Sequence, residues 1–202
     1  MRISLHTSLA IASLAFLLMS CSESFTDSRD EQSYDVVKID NLTWMAENLN
    51  YETETSACPD GDLRNCKRLG RLYTWAEAKT VCPEGWRLPT KSDFAQILAQ
   101  SLDGNPGAVS NKVGAALKAR DGWFKKGNGS DALGFRALPA GYRSADGKFD
   151  GIGGYAYFWS ATEDAENRES NAFYLFLSFS SDVASINAFA KEDYRSVRCV
   201  TP

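Results

Sequence analysis

Five cysteines, one histidine and a glycine-rich loop with spaced aspartates hold most of the chemistry open to this 202-residue sequence. The histidine, His6, falls in an N-terminal leader that is expected to be removed, so the mature chain has no imidazole. Ser-His-Asp and Cys-His nucleophilic catalysis are therefore excluded, as is histidine-ligated zinc. Beyond Cys21, four cysteines remain: Cys58, Cys66, Cys82 and Cys199. An even number in an exported domain reads as two disulfides, whereas a four-thiolate zinc site would want paired C-x-x-C spacing. Three pairings are possible. The favoured one joins Cys58 to Cys66 around the polar turn 59–65, and Cys82 to Cys199 across the second half of the chain. By loop entropy these bridges would contribute roughly 2.5 and 5 kcal/mol.

Oxygen and aromatic chemistry concentrates between Tyr142 and Tyr157. Asp146 and Asp150, with Asn128 or Asp131, form a candidate oxygen-ligand set for calcium, although the spacing matches no EF-hand loop. Trp123, Tyr142, Tyr155 and Tyr157 could offer flat amphipathic ring faces, and the intervening glycines let backbone approach a ligand. With Asp146 and Asp150, these four aromatics are the candidate ligand-binding residues. Trp86 and Trp159 sit inside apolar motifs and read as core. Glycosidase chemistry needs two carboxylates at a defined separation with unequal pKa values. The chain has too many acidic residues to single out such a pair, and no catalytic residue is assigned.

The elements that must position these residues follow from local pattern. Tyr34–Ile39 and Leu42–Met45 flank the turn pair Asp40-Asn41, which predicts a β-hairpin. Leu72–Val81 predicts a short helix ending at Cys82-Pro83. Thr90, an N-cap with Asp93 three residues on, opens a helix over 91–102 with Phe94, Ile97, Leu98 and Leu102 at helical spacing. Gly104–Gly154 reads as long irregular loops. Ala156–Ser160, Ala172–Phe179, Ala184–Ala190 and Ser196–Val200 read as strands. The order strand, helices, loops, strands predicts an α+β domain with mainly antiparallel sheets and two helices.

At the N-terminus, Leu9–Met19 is an almost unbroken apolar run following Arg2. Eleven helical residues span only ~16 Å, about half the hydrocarbon thickness of a bilayer. The run suits a signal-peptide core better than a membrane span. Leu18-Met19-Ser20-Cys21 resembles the lipobox of bacterial lipoprotein signal peptides, in which the cysteine is acylated before cleavage. The resemblance implies a leader over 1–20, lipidation of Cys21 and attachment to a membrane through its acyl chains. Ser22, with no aspartate after the cysteine, is compatible with outer-membrane delivery. Residues 21–33 then read as the lipidated cysteine and a flexible polar tether, and 34–202 as one domain. Loss of Arg2 with the leader leaves 21 basic against 26 acidic residues, a poor balance for binding nucleic acid.

Several segments together resemble a known family: Leu42–Asn50, Gly70–Trp75, Cys82–Thr90, Leu138–Arg143, Phe158–Ser160 and Ser196–Val200, in this order. The combination closely resembles the Fibrobacter succinogenes major paralogous domain family over essentially Tyr34–Pro202. Members are typically exported, often as lipoproteins, without an established common activity. The family is distantly similar to the C-type-lectin-like fold shared with formylglycine-generating proteins. That likeness implies long loops on two sheets and a disulfide from mid-chain to the last strand. The chain lacks the Glu-Pro-Asn, Gln-Pro-Asp and Trp-Asn-Asp triplets of calcium-dependent sugar binding. It also lacks a cysteine pair in its C-terminal half. The expectation is a membrane-anchored, non-catalytic module that binds a polysaccharide or a protein. The alternative is a structural lipoprotein that partners another envelope protein, and a carboxylate- or metal-dependent enzyme ranks last.

Overall fold

The computed structural model describes residues 23–100 and 112–202. Cys21, the expected acyl acceptor, and Leu102, at the end of the expected helix, lie outside the described residues.

The fold is α+β, mostly antiparallel, and carries both favoured disulfides, Cys58–Cys66 and Cys82–Cys199, with Cα separations of 4.8 and 5.8 Å. One sheet has four strands in the order β1 (Ser24–Thr26), β2 (Ser33–Ile39), β3 (Leu42–Met45) and β11 (Val200–Thr201). The second has five, in the order β4 (Leu72–Tyr73), β10 (Arg195–Ser196), β7 (Tyr155–Glu163), β8 (Asn171–Ser178) and β9 (Ser185–Ala190). A separate hairpin pairs β5 (Ala140–Arg143) with β6 (Phe149–Ile152). The described helices are α1 (Leu63–Leu69), α2 (Trp75–Ala78), α3 (Lys91–Leu98) and α4 (Val113–Leu117).

Several expectations are met for the reasons that motivated them. Ile39 pairs with Leu42 across the Asp40-Asn41 turn, with Asp40 at φ 58°. Thr90 and Asp93 form the full capping box: Asp93 N–H donates to Thr90 Oγ1 and Thr90 N–H donates to Asp93 Oδ2. Trp159 is fully buried, while Trp86 is only half-buried.

Four corrections follow. The expected helix at 72–81 divides into β4 and α2, because Thr74 caps a new helix in a box with Glu77 and frees Leu72 and Tyr73 to pair with β10. With α1 and α4, four described helices stand where two were expected. Residues 24–33 are not a flexible tether. β1 pairs with β2, Phe25 packs 5.0 Å from Trp86, and buried Asp27 holds Arg29 at 2.6 Å while that guanidinium lies 3.9 Å over Tyr51. Finally, the loops expected from 104 to 154 contain α4 and the β5–β6 hairpin. Gly141 makes that hairpin feasible. At φ 66°, a Cβ there would meet the Asp150 carbonyl at 2.3 Å.

The expected strand Ser196–Val200 is also divided, and this division organises the core. β10 belongs to the five-stranded sheet and β11 to the four-stranded one, so Val197–Cys199 crosses between them. Val197 and Cys199 enter one apolar cluster with Tyr73, Trp75 and Trp159. Arg198 points the other way and is fully buried. It donates to Asn48 Oδ1 at 2.9 Å, to the Met45 carbonyl at 3.1 Å, to the Arg136 carbonyl at 2.9 Å and to the Phe135 carbonyl. Burial pushes its pKa down to about 9.

Candidate ligand-binding face

Alternation along β7 sends Ala156 and Phe158 to one side, where they join Leu175 and Leu177 of β8 in the main core. An antiparallel sheet with one wet face would place polar residues on the other side. Here that side is aromatic. Tyr155, Tyr157 and Trp159 of β7 stand beside Tyr174 and Phe176 of β8, in the register Tyr157↔Phe176 and Trp159↔Tyr174. Phe189 of β9 pairs with Ala172 and continues the face to the sheet edge at 56% exposure. Tyr142 reaches it from the β5–β6 hairpin, with its ring 5.3 Å from Tyr157. Tyr142, Tyr155, Tyr157, Tyr174 and Phe176 are each half-buried, so ring area remains open to solvent.

The rings hold one another. Tyr155 stacks on Phe176 with centroids 5.8 Å apart, Tyr157 lies 5.2 Å from Phe176 and 5.7 Å from Tyr174, and Tyr174 meets Trp159 edge-on. Beneath them lies the Arg195 guanidinium, 2% exposed, 4.3 Å from the Trp159 ring and 4.6 Å from that of Tyr174. Asp193 at 3.1 Å and the Ala190 carbonyl at 3.3 Å fix its position. A cation against several ring faces is attracted by their negative quadrupoles. Arg195 thus pins the platform from below. Burial raises the Tyr157 and Tyr174 pKa values, so both hydroxyls stay protonated at neutral pH.

The expected site residues divide. Tyr142, Tyr155 and Tyr157 come together on this face. Trp123 does not: it is 5% exposed, packs in the main core and donates its indole N–H to the Ala137 carbonyl at 3.0 Å. It is a core residue, because a buried indole needs only one acceptor and finds it there. Asp146 serves the hairpin turn, accepting from Ser144 Oγ and from Lys148 Nζ at 2.6 Å; the Lys148 ammonium and the Ser144 hydroxyl lower its pKa to about 2. Asp150 accepts from the Gly151 N–H at 2.7 Å. Asn128 accepts from Trp123 N–H and Asp131 from Arg136 N–H. These four oxygen donors are thus engaged in separate local contacts, and the described residues hold no cluster of three or more acidic, cysteine or histidine side chains suited to a metal.

Sequence reasoning missed Tyr174, Phe176, Phe189 and Arg195. The available signal was the paired alternation of β7 and β8, in which aromatic residues occupy the side opposite to Phe158, Leu175 and Leu177. The motifs that carried the family resemblance have another role. Trp159 donates to the Tyr73 carbonyl, Trp75 to the Ser160 carbonyl, and Arg198 to Asn48. The first two bonds fasten β4 and α2 to β7, and the third anchors the crossover between the two sheets.

The architecture is that of a disulfide-stapled α+β domain with a half-buried aromatic sheet face. The model of the Fibrobacter succinogenes major domain matches residues 37–201, and the chain belongs to that family. No curated protein and no solved structure matches it.

Proposed function

We propose that this protein is an exported lipoprotein, acylated at Cys21, whose C-type-lectin-like domain binds polysaccharide without catalysis through the aromatic face of the five-stranded sheet. One observation carries the reading: Tyr155, Tyr157, Tyr174 and Phe176 keep open ring area while their mutual contacts and Arg195 fix them in place. Sugar rings have apolar C–H faces that lie against aromatic rings, and tyrosine hydroxyls add hydrogen bonds at the rim. Rings already held in place lose little side-chain entropy on binding. The guanidinium set among these rings, that of Arg195, is buried, which suits a neutral glycan. Anchoring rests on the leader and Cys21, because two or three acyl chains hold a protein stably where one does not. Delivery to the outer membrane, compatible with Ser22, is part of the same proposal.

The test has two arms. Cys21→Ala should abolish incorporation of labelled fatty acid and release the protein from membranes. Retention of the full chain on insoluble neutral polysaccharides should fall at least ~10-fold in Tyr157→Ala or Phe176→Ala, a loss of about 1.4 kcal/mol or more. Wild-type protein that is retained by no polysaccharide, yet captured by an envelope protein, would replace this reading with the structural-partner alternative.

A further inference from the structure

Among the described residues, no strand pairs with the outer edge of the five-stranded sheet at β9. Ser185–Ala190 reads SINAFA and, with Val183 and Ala184 before it, has neither charge nor proline. Its pairing with β8 runs without a bulge from Ser185↔Phe176 to Ala190↔Asn171. Natural sheets usually guard such an edge with lysine, proline, a bulge or a covering segment, since unpaired backbone groups template a further strand.

Which groups are open follows from the register. Lys191 N–H donates to the Ser170 carbonyl, so in this antiparallel ladder the odd-numbered residues of β9 bond toward β8. The N–H and C=O groups of Ile186 and Ala188 therefore point outward, and no other backbone bond engages them among the described residues. Ala190 obeys the same rule, but its carbonyl is closed by Asp193 N–H and Arg195 Nη1, both at 3.3 Å. The free edge therefore ends before Ala190.

We infer that β9 pairs with β9 of a second copy of this chain, antiparallel about a two-fold axis at Ile186. An isologous contact needs a self-complementary patch. That axis sets Val183 opposite Phe189 twice, and these two side chains, 54% and 56% exposed, are the large exposed apolar residues on this edge. It also sets Ser185 opposite Asn187, two side chains that already hydrogen-bond to each other within one copy at 3.0 Å. Moving the axis to Asn187 would place Val183 against Lys191 and Asp182 against Glu192, which loses the apolar match and opposes like charges. A two-fold axis normal to the sheet keeps equivalent faces on one side. The two aromatic faces then join across Phe189 into one longer surface.

The test is the mass of the full chain purified in detergent, by sedimentation equilibrium over a concentration series, with amide hydrogen exchange in parallel. Self-association should appear, and the Ile186 and Ala188 amides should gain protection as concentration rises. Ala188→Pro removes an outward-facing N–H, and Phe189→Lys places a charge in the apolar match. Each should weaken association at least ~10-fold, equivalent to about 1.4 kcal/mol, with the melting temperature of Phe189→Lys nearly unchanged. A monomer at every concentration overturns the inference. So does a dimer that Phe189→Lys leaves intact, or one in which protection appears elsewhere.

Discussion

Replacing Arg198 with methionine tests how the two sheets are joined. The side chain is fully buried and forms no ion pair among the described residues, so its partners are neutral: three carbonyls and the Asn48 amide oxygen. Methionine fills similar volume and removes the cost of burying a cation, which alone would favour the variant. Against this, as many as four acceptors lose their donor in a dry interior, at about 1–3 kcal/mol each. The acceptors win: their penalties outweigh the relief of burying a cation, and stability should fall by about 3–5 kcal/mol. For a domain of this size each kcal/mol shifts the melting temperature by about 2–4 °C, so a drop on the order of 10 °C is expected. Thermal unfolding followed by circular dichroism, with both disulfides intact, measures it. A variant as stable as the wild type would mean that water or backbone adjustment satisfies the acceptors. Arg198 would then not be the residue that holds the crossover in place.

Breaking Cys82–Cys199 by paired serine substitution should cost more than breaking Cys58–Cys66, about 5 against about 2.5 kcal/mol by loop entropy, because it closes 117 rather than 8 residues of sequence separation. Denaturant titration of both variants checks the order, and equal losses would contradict it. Trp123→Ala should lower stability by about 3–5 kcal/mol as a large core truncation while polysaccharide retention by the folded fraction stays unchanged; loss of retention without loss of stability would return Trp123 to the binding surface. Asp146 should titrate with a midpoint of about 2, below its ordinary value of 3.8, when its carboxyl carbon is followed by NMR. Because the folded value is depressed, whatever the Lys148 pairing contributes is present above pH 3.8 and is lost as pH falls toward 2. An unshifted midpoint would show that the pairing does not persist in solution.

Local pattern determined a good deal of this protein. The Asp40-Asn41 hairpin, the Thr90 capping box, three of the four C-terminal strands and the number of disulfides follow from turn chemistry, side-chain period and exported-cysteine arithmetic, which act over short range or depend on composition. The tertiary structure decided what those rules do not reach. Ser196–Val200 reads as one strand, yet it is shared between two sheets, because Arg198 and its flanking residues face opposite interiors. Ser24–Thr26 reads as part of a polar tether, yet it folds because Phe25 finds Trp86 and Asp27 finds Arg29. Trp123 and Tyr157 are equivalent as aromatic residues in a line of sequence. Only packing buries the first against Ala137 and leaves the second on an open face, where the register of β7 and β8 sets it beside Tyr174, Phe176 and Arg195. An aromatic side chain is favoured in both places, so residue type alone cannot separate a core from a surface that binds. Separating them takes the choice of which sheet face has another layer against it, and that choice is made by contacts between residues far apart in sequence.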